Sequence, residues 1–201
     1  RAEEVWREYR EYSGRIGVIG LIVSTMTAGC LATIDGRLEE AEQTARGILT
    51  RAEELGFTGF AGPFAFIAGS RAWLLLGKAA EALQLVTKSF PLPTGAALCL
   101  AHLGQATEVV KMLEQFVIAR PGIGSAGDET PAMYDIFCLE AAVLVKHRQA
   151  AELLLNRFAS GSSPILSWVQ TCTARHLGGA SALLGRYDEA RKYYQEAIKV
   201  C

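Results

Sequence analysis

The stretch from Leu177 to Ile198 constrains the fold of this chain more than any other. It reads Leu-Gly-Gly-Ala-Ser-Ala-Leu-Leu-Gly-Arg-Tyr-Asp-Glu-Ala-Arg-Lys-Tyr-Tyr-Gln-Glu-Ala-Ile, two helical segments joined by a turn at Gly185. The first segment presents Leu177, Gly178 and Ser181, the second Ala190, Tyr194 and Ala197. Small and large residues alternate as two close-packed antiparallel helices require. A small residue lets one backbone approach, and a large one fills the space beside it.

Leu-Gly in a first helix, Gly-x-Tyr-x-x-Ala across the turn, then Tyr and Ala in a second helix resemble a tetratricopeptide repeat (TPR). The Pro that usually closes such a repeat would fall just past Cys201. An internal echo supports repetition: Gly36-Arg37-Leu38-Glu39-Glu40-Ala41 parallels Gly185-Arg186-Tyr187-Asp188-Glu189-Ala190. The resemblance implies an all-α chain, an α-solenoid of antiparallel helix pairs. The expected repeats span 16–56, 63–90, 95–118, 131–159 and 164–201, in a single domain over 1–201. The turns at Gly36, Gly77, Gly104, His147 and Gly185 are mostly about forty residues apart, longer than the roughly thirty-four of the TPR consensus.

The residues between these turns carry helical signals. Leu38, Ala41, Ala45, Ile48, Ala52 and Leu55 recur at three- and four-residue steps, predicting an amphipathic helix that Gly56 ends. Phe66, Ser70 and Trp73 line the first helix of the next pair, and Ala82, Val86 and Ser89 face inward on its second. Pro91 and Pro93 break the chain there. Thr130-Pro131 predicts a helix start with Thr130 as N-cap, and Ser163-Pro164 predicts another. No strand is evident. Ile16 to Ile34 is free of charge over about nineteen residues, long enough for a membrane span. Three glycines, four hydroxyl residues and the lack of a basic or aromatic anchor at the far end favour a helix buried in protein.

Composition narrows the function. Twenty basic and twenty-one acidic residues are interspersed, so the basic face that phosphate neutralisation needs is missing, and nucleic-acid binding is not expected. The five scattered cysteines, Cys30, Cys99, Cys138, Cys172 and Cys201, read as reduced core thiols of a cytoplasmic protein, with no membrane partner. Arg1 opens a charged, helix-like segment without an initiator Met or a secretory leader. With a repeat cut off at the other end, the chain reads as a piece of a longer multidomain protein.

No pattern supplies catalysis. Gly122-Ile123-Gly124-Ser125-Ala126-Gly127 matches Gly-x-Gly-x-x-Gly, but dinucleotide binding needs a strand before the loop and a helix after it within a βαβ unit. A loop between repeats is the better reading. Cys172/His176 and Cys99/His102 could each share a helix face, yet nothing brings the two pairs together as a zinc site. No nucleophile sits on a recognisable strained turn, with three histidines in all. The adjacent acids Glu39-Glu40 and Asp188-Glu189 complement helix dipoles. No catalytic residue, metal or cofactor is therefore expected.

Carrying the TPR pattern over residue by residue places Arg71, His102, Glu140 and Arg175 on the concave face of the first helices, where the family's ligands bind. Arg175-His176-Leu177-Gly178, then Leu183-Leu184-Gly185-Arg186-Tyr187-Asp188-Glu189-Ala190, further resembles the C-terminal helical region of bacterial adenylate/guanylate cyclase–ATPase and LuxR-type regulators. The resemblance implies a non-catalytic scaffold or interaction module. Its partner is a protein, a peptide, another domain of the same chain or a second copy. The alternative is a domain that senses a small-molecule effector for a linked cyclase or ATPase.

Overall fold

A computed structural model describes residues 17–56, 58–89, 91–125, 127–159, 165–166 and 170–200, with Val5, Glu8 and Tyr12 as isolated helical positions. The described residues are mostly helical. They gather into two compact units, Arg1–Phe90 and Pro91–Cys201.

The first unit holds α1 (Val18–Ile34), α2 (Leu38–Glu54), α3 (Thr58–Leu75) and α4 (Ala79–Gln84). The second holds α5 (Pro93–His102), α6 (Ala106–Leu113), α7 (Ala132–Leu144), α8 (Arg148–Ala159), α9 (Thr173–Leu183) and α10 (Tyr187–Val200). Consecutive helices form five hairpins, and all five close on one turn geometry. At the first, the Gly36 amide donates to the Thr33 carbonyl at 3.1 Å and the Arg37 amide to the Ala32 carbonyl at 2.8 Å. The same two bonds, in the same register, close the turns at Gly77, Gly104, Lys146 and Gly185. This is the Schellman arrangement, and it requires a left-handed residue at the turn. Glycine supplies it four times, and Lys146 adopts φ 59° in the fourth hairpin. The residue after the turn then opens the next helix. Five positions after the left-handed residue, Ala41, Ala82, Val109, Ala151 and Ala190 are all buried, so the Gly-x-x-x-x-Ala echo extends through the chain.

Hairpins within a unit meet in one way. The first helix of each following hairpin packs on both helices of the one before: α3 on α1 and α2, α7 on α5 and α6, α9 on α7 and α8. Glycine sets the separation where a side chain would collide. A Cβ on Gly29 would lie 2.9 Å from the Ala68 Cβ and 3.0 Å from its carbonyl oxygen. One on Gly178 would lie 2.9 Å from the Tyr194 ring. Ion pairs join the outer helices. Glu42 on α2 accepts from Lys78 at 2.6 Å, and Glu152 on α8 accepts from Arg186. Both acids sit six residues after their own turn residue, and both bases sit one residue after the next.

Several expectations are corrected. α3 begins at Thr58 rather than near Pro63, which lies inside the helix. The missing Pro63 amide leaves the Gly59 carbonyl without its helical donor, at a helix start where Thr58 and Gly59 are exposed to water. Ser89 is exposed, not inward, because the backbone widens to a π-turn over Leu85–Ser89 and rotates off the helical register. A second π-turn, Glu114–Ile118, follows α6. Thr130 is not an N-cap. Its amide donates to Asp128 and its carbonyl accepts from Arg157, so α7 starts after Pro131 with no side-chain cap. A two-residue antiparallel ladder, Ile165–Leu166 with Thr171–Cys172, precedes α9 where helix was expected. The Ser163-Pro164 start lies outside the described residues, as does Cys201.

α1 is buried along one side only: Ile22, Met26 and Ala32 are buried, while Ile19, Leu21 and Ile34 are exposed. Its Ser24, Thr25, Thr27 and Thr33 hydroxyls donate to carbonyls three or four residues back, which satisfies them within the helix. Among the described residues, no helix is long and apolar enough to cross a membrane.

Candidate functional site

The first helices of the second unit bring three ionisable side chains together. His102 ends α5, Glu140 lies on α7 and His176 on α9. His102 Nε2 is 3.9 Å from Glu140 Oε1, and His176 Nε2 is 3.9 Å from Glu140 Oε2. The Thr171 hydroxyl lies 2.5 Å from His176 Nε2. Glu140, His176 and Thr171 are buried, and His102 reaches the surface. At 3.9 Å each imidazole attracts the carboxylate as an ion pair when protonated, without a direct hydrogen bond.

This is not a hydrolytic triad. In that arrangement the acid holds one ring nitrogen and the nucleophile faces the other. Here Thr171 and Glu140 both face Nε2 of His176, so the acid cannot orient the ring toward the hydroxyl. Cys172 and His176 were candidates for one half of a zinc site, but His176 directs Nε2 at Thr171. Among the described residues, no group of three or more His, Cys, Asp or Glu is arranged to hold a metal ion.

Of the four predicted site residues, His102 and Glu140 come together. Arg175 is exposed on α9. Arg71 lies on α3 of the first unit, at the register position that Glu140 occupies in the fourth hairpin. Arg71 and Glu140 were expected on an open face, yet they are only 4% and 7% exposed. Exposed large apolar side chains recur at another register position in three hairpins. Two residues before the turn residue come Ile34, Leu75 and Leu144, exposed at 61%, 57% and 46%. His102 holds that position in the third hairpin. These apolar positions were not singled out in the sequence, and His176 was named only as half of a metal pair. The signal for both was their fixed distance from the turn.

A second polar centre anchors the glycine-rich loop. Arg120 holds Asp135 with two bonds, Nη1 to Oδ1 at 2.8 Å and Nη2 to Oδ2 at 3.0 Å. Arg157 reaches both Asp135 and Asp128. The Gly124 amide donates to Asp128 Oδ2 at 2.8 Å. A dinucleotide loop aims such an amide at phosphate; here the protein's own carboxylate takes it. Burial pushes the Asp135 carboxyl above its usual range, and the bond from Arg120 pulls it back. Burial also pushes the nearby Cys138 thiol up to about 12, with the Asp135 charge adding to the effect.

Compared with known proteins, the chain matches no family model, no curated protein and no solved structure.

Proposed function

We propose that this chain is a TPR-like α-solenoid that binds a protein or peptide partner and carries no catalysis of its own. The carrying observation is a set of exposed apolar residues at one register position of three hairpins, Ile34 and Leu75 in the first unit and Leu144 in the second. Repeat proteins use such recurrence to build a binding surface from one side chain per unit. A peptide with apolar anchors suits such positions within either unit, and in the second unit the exposed His102 and Arg175 offer polar contacts. The Arg-His-Leu-Gly stretch at 175–178 and the following Leu-Leu-Gly-Arg keep the regulator resemblance as the favoured setting, a scaffold region in a cytoplasmic signalling protein. The balanced charge favours a protein partner over nucleic acid.

Selection from a displayed peptide library tests this. The expected outcome is an enriched peptide whose affinity falls at least about tenfold, 1.4 kcal/mol, in Leu75→Glu or Leu144→Glu. Failure to enrich any peptide, or binding that ignores both substitutions, contradicts it.

A second reading rests on the His102–Glu140–His176 cluster, a buried carboxylate flanked by two imidazoles. Such a polar centre between helices suits a small effector carrying hydrogen-bond donors. A thermal-shift screen of metabolites and nucleotides tests it. A ligand that raises the melting temperature of the parent but not of Glu140→Gln supports the sensor, and a flat screen removes it.

A further inference from the structure

We draw no further inference here: the strongest candidate, the side-chain cluster of His102 on α5, Glu140 on α7 and His176 on α9 with the Thr171 hydroxyl in the second unit, belongs to the candidate site already described.

Discussion

Gly29 and Gly47 both lie within helices, yet the structure gives them opposite roles. A methyl on Gly29 meets the Ala68 backbone, which cannot move aside without shifting α3. Gly47 has nothing within 4 Å of an added Cβ. Gly29→Ala should therefore cost about 1–3 kcal/mol through overpacking. Gly47→Ala should gain about 0.5–1 kcal/mol from helix propensity. Urea titrations of the two variants read the difference directly, and equal shifts would contradict the close approach. Asp135 faces two half-buried guanidinium groups that Asp128 also contacts, so Asp135→Ala should cost about 1–3 kcal/mol by removing one of their two carboxylate partners. Reactivity gives a further check. Cys138 is buried with its thiol pushed up to about 12, whereas Cys172 is half-buried, so a thiol reagent at mildly alkaline pH should label Cys172 well before Cys138. Early labelling of Cys138 would contradict its packing.

Elements show which features a sequence can announce. The turn glycines and the alanine five positions later were legible because each answers a local demand, a left-handed residue and a close helix approach. The Lys146 turn carries neither glycine nor asparagine, and only its surroundings placed it near His147. The π-turns at 85–89 and 114–118 have no local signature, which is why Ser89 was assigned to the wrong face. The quartet of Arg120, Asp128, Asp135 and Arg157 joins residues far apart in sequence, so only tertiary structure shows that the glycine-rich loop is pinned by the protein's own acids. His102 and Glu140 were singled out from the TPR pattern as open positions, but the burial of Glu140 and its approach to His102 depend on how α5 and α7 pack. His176, nine positions before its turn, faces the preceding hairpin and was read only as a half of a metal pair.

The bridge between α2 and the start of α4 carries a pH prediction at this scale. The hydrogen bond from Lys78, aided by Arg46, holds the Glu42 carboxyl below its ordinary value of 4.5 against the opposing effect of burial. A carboxyl depressed in the folded state stabilises at neutral pH. That contribution is lost as pH falls below the ordinary value toward the folded one. The stability gap between the parent and Glu42→Gln should thus be widest near pH 7 and close in acid. A gap that widens on acidification would contradict the bridge.

For the whole molecule, the account rests on one hairpin used five times, with exposed apolar residues at one register position of three of them. Residue-resolved amide hydrogen exchange tests that claim most directly. Protection follows buried, hydrogen-bonded backbone. The account predicts five rises and falls in one register, with minima at the first helical amides after each turn, near residues 38, 79, 106, 148 and 187, and maxima within the helices on either side. A third hairpin, α5 and α6, that exchanges freely while its neighbours stay protected would contradict it, as would maxima whose distance from the turn differs from hairpin to hairpin.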